Sequence, residues 1–361
     1  MSKPRTSLAG FCAVAMFCTA FGASAEGTDD NANQDNSELG FKNGSFVGVP
    51  IPINDPTFGA GLVLGVGYLF QSDEGSKTSS LGAALAGTNK ESYAIGLGGG
   101  LSLDNNRHNV EFILAYGDLK YDLFLINDSI NVSQQGLAFQ GAYRYSFTDT
   151  FSAGASLQYL NTVVSGVDGF VLPPEVAELS DTALPTVGLV AKWDTRDDTF
   201  YPVSGNKVDL ALTYSNDVQN GDLSYYGLKL SYDKFWPVSN ESAIAFRATA
   251  CEKSDRTPFF DSCLLGSEIR GFPLFDVYGN SMLTAQAEYR GRLSKRFGYV
   301  AFAGGGEVQK NSISVDSGFR YAGGVGLRYR VTKKHKLDFS IDAAVNDDGD
   351  QFLYFYVGQR F

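Results

Sequence analysis

The sequence predicts an all-β protein, a transmembrane antiparallel β-barrel of about sixteen strands. Apolar and polar residues alternate with a period of two over many segments, as in strands whose faces meet different surroundings. The N-terminus has the pattern of a secretory signal, and no later apolar stretch approaches the ~20 residues of a membrane-spanning helix. A membrane crossing would therefore be made by strands.

The N-terminal segment is interpreted as a cleavable signal peptide, residues 1–25. Lys3 and Arg5 precede an apolar run from Leu8 to Gly22, and the small residues Ala23-Ser24-Ala25 follow it directly. Loss of the two basic residues makes a chain of formal charge −11 still more acidic. This charge argues against nucleic acid as a partner.

The polar segment 26–43 is too short for a folded domain and is expected to be a disordered periplasmic lead-in. The barrel is expected to occupy residues 44–361 as one domain. Its first strand, about Gly44 to Ile53, contains Pro50 and Pro52, which donate no ladder hydrogen bonds and fit only an edge or seam strand. The abundance of Gly (41), Phe (27) and Tyr (19) also favours strands.

The alternation is clearest near the C-terminus. Between 283 and 293 the odd positions are apolar or small except for Tyr289, whereas the even positions include Glu288, Arg290 and Arg292. In the last strand one face is predicted to carry Leu353, Phe355, Val357 and Phe361. Phe355, Val357 and the terminal Phe361 are interpreted as a C-terminal assembly signal.

Connections between the predicted strands alternate short and long, as between periplasmic turns and extracellular loops. The long connections lie near 252–281 and 162–183, and the second is expected to hold a short helix. Cys251 and Cys263 lie at the base of the first and are expected to form a disulfide in an oxidising compartment.

Little in the sequence supports an enzyme. His108 and His335 sit beside basic or polar turn residues, and no Gly-x-Ser-x-Gly elbow is present. Neither histidine lies near the cysteine pair, so no metal-ligand spacing is present and no cofactor is expected.

Two segments depart from plain strands and turns. The first runs from Asp194 to Gly205 and is assigned to a periplasmic turn. In it Asp194, Arg196 and Asp197 can pair with each other and with backbone amides, Pro202 fixes φ, and Gly205 permits a tight return. The second, Glu268-Ile269-Arg270-Gly271-Phe272, lies in the longest extracellular loop.

These two segments and the aromatic C-terminus resemble the BamA/TamA superfamily of outer-membrane assembly barrels, also called bacterial surface antigens, over nearly the whole mature chain. The resemblance implies sixteen strands and a sixth extracellular loop folded back into the lumen. It also implies that Arg270 meets acidic groups of the inner wall, with Glu288 as the nearest match. Arg270, Gly271, Phe272 and Glu288 are therefore expected to form a lumen lock.

The sequence departs from the family pattern in two places. Many members carry an acidic residue on the strand after that of Glu288, where this chain has Phe302-Ala303-Gly304-Gly305-Gly306. The repeated periplasmic POTRA domains of many members are expected to be missing, since segment 26–43 cannot hold one.

Two functions in the bacterial outer membrane remain open. One is help with inserting proteins or lipids into the membrane, or with translocating them across it, by opening between the first and last strands. Its partners would be the lipid bilayer, unfolded outer-membrane or secreted clients, and the barrel-assembly machinery for its own insertion. The other is a passive pore or structural barrel, whose lumen would favour anions because of Arg290, Arg292, Arg328 and Arg330.

Overall fold

The computed structural model describes residues 44–55, 57–124, 129–177, 180–198, 200–219, 223–309, 318–332 and 336–361. The predicted signal peptide, segment 26–43 and His335 lie outside these residues. In the part of the chain that is described, no helix has the length and apolar character to cross a membrane.

Sixteen strands form one antiparallel sheet in chain order, each paired with the next, which confirms the predicted fold class. They are β1 (Ser45–Asp55), β2 (Gly59–Phe70), β3 (Ser79–Thr88), β4 (Tyr93–Leu103), β5 (His108–Phe124), β6 (Ser129–Ser146), β7 (Phe151–Gly166), β8 (Asp181–Asp194), β9 (Gly205–Asn216), β10 (Ser224–Ser239), β11 (Ser242–Lys253), β14 (Ser281–Arg292), β15 (Phe297–Gln309), β16 (Phe319–Thr332), β17 (Leu337–Asn346) and β18 (Gln351–Val357). A separate two-stranded ribbon pairs β12 (Cys263–Leu264) with β13 (Tyr278–Gly279).

The two faces of each strand differ as the alternation predicts. On β14, Leu283 is 64% exposed, whereas Glu288 and Arg290 are at most 1% exposed. On β16, Val325 is exposed and Arg328 is buried. An apolar exterior around a polar interior is the arrangement that lets a closed sheet cross a bilayer.

The loop of residues 254–280, between β11 and β14, folds into the lumen and is called the plug below. It carries a 3-10 turn at Phe259–Asp261 and a one-turn helix at Leu265–Glu268. Its apolar side chains pack against the inner faces of β5 to β7, and the Phe275 ring stacks on Tyr121 with centroids 4.7 Å apart. The plug is therefore held by a small hydrophobic core of its own.

The loop between β7 and β8 contains a 3-10 turn at Val167–Gly169 and a one-turn helix at Pro174–Ala177, in the region where a short helix is predicted. Val176 of this helix is 1% exposed and belongs to the same hydrophobic cluster as Phe259 and Phe275 of the plug. The two long loops thus cover the same end of the barrel together.

The C-terminus differs from the prediction. Phe361 does not share a face with Phe355 and Val357 but is buried in the lumen, where it packs on Phe235 and Ala245. The alternation stops because β18 ends at Val357 and Gly358 adopts a φ of +93°, which an L side chain rarely adopts. The Gly358 N–H donates to the Asp338 carbonyl at 2.7 Å, which directs the last residues inward.

The barrel closes at a seam between β1 and β18. Among the described residues these two strands form no backbone ladder, and the Asn54 side chain donates to the Leu353 carbonyl at 3.0 Å. Ile51, on the lumen side of β1, packs in a cluster with Phe339 and Val357. On β17 the buried residues that face the lumen alternate with outward-facing residues, and Phe339 is one of the outward-facing residues. The lumen face of β1 therefore contacts the bilayer face of β17 and β18.

Candidate functional site in the barrel lumen

Arg270 of the plug lies between carboxylates of two different strands. Its Nη2 donates to Glu288 on β14, and its Nη1 donates to Asp342 on β17. None of the three residues is more than 2% exposed. A buried guanidinium needs such acceptors because a charge without a partner is costly outside water. The structure brings Arg270 and Glu288 together and adds Asp342, which sequence reasoning did not assign.

Phe302 supports the Arg270 guanidinium from one side. The guanidinium carbon lies 3.5 Å from the centroid of the ring, within the range of a cation–π contact. Phe302 begins the stretch in which the family pattern has an acidic residue. A Cβ at Gly304 would stand 2.5 Å from the Cβ of Gln286, so a side chain there would clash. The second carboxylate comes instead from β17, two strands further along the sheet.

The backbone of the plug lies close to the barrel wall at Gly271. Its φ is +108°, and a Cβ there would lie 2.6 Å from the Cβ of Ala322 on the barrel wall. The Gly271 N–H donates to the Tyr354 hydroxyl at 2.9 Å. Phe272 is 1% exposed and packs with Leu265 and other apolar residues of the plug. Glycine at 271 thus allows the close approach that puts Arg270 between its acids.

Each acid that binds Arg270 also binds a second arginine. Glu288 accepts from Nε of Arg290 at 2.7 Å, and Asp342 accepts from Arg328 and, at 2.6 Å, from the Tyr356 hydroxyl. The plug arginine is therefore part of a buried network of alternating charge. Such a network fixes geometry, since the removal of one member leaves another charge unpaired.

The four arginines that the sequence places in the lumen are each paired with an acid, which reduces the net positive charge expected of an anion-favouring lining. Arg290 binds Glu288, Arg328 binds Asp342, and Arg292 and Arg330 both bind Asp338. Alternation placed these side chains in the lumen correctly, but the parity of a strand does not say which acid each arginine meets. Glu288 lies on the strand of Arg290 itself, whereas Asp338 and Asp342 lie on β17.

Two further contacts anchor the plug. Cys251 on β11 and Cys263 in β12 form a disulfide with 5.9 Å between their Cα atoms. Glu268, buried at the end of the Leu265–Glu268 helix, accepts from Lys229 Nζ at 2.6 Å and from the Thr249 hydroxyl at 3.1 Å. The plug is thus fixed to β11, to β10 and, through Arg270, to β14 and β17.

The turn between β8 and β9 carries the other predicted motif. Arg196 donates to both carboxylate oxygens of Asp194, at 2.9 and 2.7 Å. Asp197 accepts the backbone N–H groups of Val203 and Ser204, each at 3.0 Å. Pro202 is buried next to Tyr201. Gly205 has a φ of +102°, where a Cβ would lie 2.3 Å from the Thr195 carbonyl oxygen.

Tyr201 is the residue of this turn that sequence reasoning missed. Its ring lies under Arg292 and Arg330, at 4.5 and 4.8 Å, and its hydroxyl donates to the Glu241 carbonyl at 3.0 Å. Asp198 pairs with Lys336 at 2.8 Å. The turn therefore reaches across the end of the lumen opposite the long loops, to Arg292 of β14, Arg330 of β16 and Lys336, which directly precedes β17.

A family model described as the Omp85 superfamily domain matches residues 89–361. The chain belongs to the Omp85 superfamily. Omp85 barrels reside in the bacterial outer membrane, and this is the location of the protein.

Solved structures show the same fold. BamA from Haemophilus ducreyi lacking POTRA domains 1–3 matches with a TM-score of 0.58 and 14% identity, over 96% of this chain and 77% of that one. CdiB from Escherichia coli matches with a TM-score of 0.61 and 14% identity, over 87% of this chain and 62% of that one. CdiB from Acinetobacter baumannii has a TM-score of 0.59 and 11% identity, with 87% and 59% covered. The chain thus spans less than two thirds of the length of either CdiB. A search of curated protein sequences found no match.

Of the other predicted candidates, His108 lies at the start of β5, where its Nδ1 is 2.8 Å from the Tyr143 hydroxyl. No group of three or more His, Cys, Asp or Glu side chains suited to a metal ion occurs in the described part of this Omp85 barrel.

Proposed function

We propose that this Omp85 barrel helps to insert polypeptides into the outer membrane, or to move them across it, by opening between β1 and β18. The proposal is supported by the structure of the seam between these two strands. Every other pair of neighbouring strands in the sheet is joined by a backbone ladder, whereas β1 and β18 form none among the described residues.

The seam strands are also unequal in length. β18 has seven residues and β1 has eleven. With Asn54 opposite Leu353, the first residues of β1 extend beyond the end of β18, where the chain turns inward at Gly358. Pro52 contributes no N–H to this edge. A strand edge without a partner is a template on which another chain can add a strand.

The side chains that lie across both ends of the lumen favour opening at the seam over passage along the lumen axis. Arg270, the disulfide and the apolar core hold the plug across one end of the barrel, and Tyr201 lies across the other. A passive pore, the second function compatible with the sequence, has less support because both ends of the lumen carry ordered, paired side chains.

The proposed function requires binding partners but no catalytic residues. The lipid bilayer and unfolded outer-membrane or secreted polypeptides would meet at the seam, and the barrel-assembly machinery would insert this barrel itself. The rows of exposed apolar side chains, such as Leu64 on β2 and Leu283 on β14, suit the bilayer.

A crosslinked seam tests the proposal. Asn54→Cys with Leu353→Cys would be joined by a short thiol-specific crosslinker in proteoliposomes, and insertion of an unfolded outer-membrane barrel protein would be measured by its protease protection. We expect crosslinking to reduce insertion at least tenfold, and a reducible crosslinker to restore it on reduction.

The matched control joins two strands that already form a ladder. Leu64 on β2 and Leu85 on β3 are register partners and both face outward, so the crosslinked Leu64→Cys, Leu85→Cys variant should insert the client at the normal rate. Equal insertion by the free and crosslinked seam variants would contradict opening between β1 and β18.

A further inference from the structure

The lumen of this barrel is uneven in polarity. Strands β14 to β17 carry the charge network around Arg270, and β5 to β11 carry further ion pairs such as Arg144 with Glu111, whereas within β1 to β4 the only charged residue is Asp55. The lumen-facing positions of β2 to β4 are mostly Gly and Ala, and Val63 and Ala84 among them are buried. Membrane barrels with aqueous lumens have polar inner walls, so an uncharged wall of small residues suits an apolar occupant.

Next to this wall lies a cavity of about 250 Å³, bounded by β4 to β8 and by the plug. Aliphatic side chains of three strands line it, namely Ile113, Leu119, Leu160 and Leu184. Its polar lining comprises Gln140, Gln158, Thr186, Tyr225 and Asp261, and Asp261 also pairs with Lys253 at 3.0 Å.

The cavity suits a hydrocarbon chain better than a polypeptide segment. Its strand walls use their backbone groups in the β ladders from β4 to β8. A peptide there would bring N–H and C=O groups that need partners at every residue, and a buried unpaired amide is unfavourable. A hydrocarbon chain has no such requirement.

The seam provides a route from the bilayer to this wall. Ile51 and Ile53 on β1 face Phe339 and Val357 across it, so both sides of the seam are apolar there. From the seam the lumen face continues through Val63, Ala84 and Ala86 without a charged side chain until β5. Lipids are the apolar molecules present at high concentration at this entrance.

We propose that the cavity binds an acyl chain of a membrane lipid, which enters from the bilayer between β1 and β18. This inference rests on the seam opening of the proposed function, but it requires no polypeptide client, so lipid labelling and polypeptide insertion can fail separately.

A photoreactive lipid tests the proposal on the unaltered protein. The full-length barrel would be reconstituted in phosphatidylethanolamine and phosphatidylglycerol vesicles that contain phosphatidylethanolamine with a diazirine near the end of one chain. After illumination, mass spectrometry would map the labelled residues. We expect labels on the lumen-facing Ile113, Leu160 and Leu184 as well as on outward residues such as Leu157.

A cavity-filling variant supplies the matched comparison. Ala138 lines the cavity, so Ala138→Phe should reduce labelling of the inner wall at least fivefold while labelling of Leu157 stays unchanged. Ala155→Phe, on the exposed face of β7, adds the same ring outside the barrel and should leave inner labelling intact. Heat-modified gel migration would show that both variants fold.

The outcomes distinguish the lipids that could supply the acyl chain. Displacement of the inner label by unlabelled lipopolysaccharide, with the Ala138→Phe effect retained, would support the site and identify lipid A as the donor of the acyl chain. Labels on outward residues alone, or inner labels that Ala138→Phe leaves unchanged, would overturn the proposal. Displacement of the inner label by an unfolded polypeptide but by no lipid would overturn it as well.

Discussion

Arg270 and Asp342 are 72 residues apart in the chain, yet their side chains meet in the barrel lumen. Asp342 lies on β17, while Glu288, the other acid, lies on β14. One loop arginine therefore ties together two strands that are not neighbours in the sheet. The mechanical link that results runs from the plug to the strand that precedes the seam strand β18.

Removal of this arginine should release the plug. Arg270→Ala leaves Glu288 and Asp342 buried with fewer partners, and we expect docking of the plug to weaken by about 3–5 kcal/mol. The conductance of single channels should rise as the plug loosens. Planar-bilayer recordings would measure the conductance, and heat-modified gel migration would report whether the barrel is intact.

The control for this variant is an exposed arginine. Arg107 lies in a turn beside Asp104, and both side chains are more than half exposed, so Arg107→Ala should change conductance and stability little. Arg270→Ala and Glu288→Ala should be non-additive in the double variant, because each removes the same contact. Wild-type conductance in Arg270→Ala would mean that the apolar core and the disulfide hold the plug without it.

The disulfide should order the base of the plug. Replacement of Cys251 and Cys263 by Ser opens a loop whose ends are 12 residues apart, at a cost of about 2–3 kcal/mol, mainly in loop order. Limited proteolysis of the intact barrel should then cut the plug faster. Reductant should accelerate cleavage of the native protein but not of the double variant. Two free thiols in the unreduced, denatured native protein would contradict the pairing.

Tyr201 should restrict the mouth of the lumen at the end opposite the plug. Tyr201→Ala removes the ring on which Arg292 and Arg330 rest, and we expect higher conductance with little loss of barrel stability. Tyr201→Phe keeps the ring and loses the hydroxyl that donates to the Glu241 carbonyl, so its conductance should stay near that of the native protein. Equal conductance in all three proteins would show that the turn does not restrict the mouth.

The inward turn of the C-terminus should depend on Gly358. Its φ of +93° costs a β-branched residue about 1–2 kcal/mol, so Gly358→Val should displace Phe361 from its contact with Phe235. Gly358→Asn should be affected less, since Asn tolerates positive φ better. Protease sensitivity of the C-terminus in vesicles would measure the release. Identical protection in the native protein and both variants would contradict this role for glycine.

The sequence was sufficient for those parts of the fold that depend on local periodicity. Alternation placed Glu288 and Arg328 in the lumen, and Leu283 and Val325 on the bilayer side, because each assignment needs only the parity of one strand. The proximity of the cysteines in one loop was likewise a local property.

What sequence reasoning missed are relationships across the lumen. Asp342 was placed on the polar face of its strand, but nothing local links it to a loop from which three strands separate it. The assignment of Phe361 was wrong for a different reason. Parity holds only while the chain stays extended, and a single glycine with positive φ at position 358 ended that condition three residues before the C-terminus.

Because Ile51 packs with Phe339 and Val357, the medium around the barrel affects how readily the seam opens. In water, separation of such side chains would expose hydrocarbon and be strongly opposed. In a bilayer, lipid tails are as apolar as the side chains they would replace, so that opposition largely disappears. The chain length and fluidity of the surrounding lipids should therefore set how often the two strand faces part, and a detergent belt that packs less densely should set a different frequency for the same polypeptide.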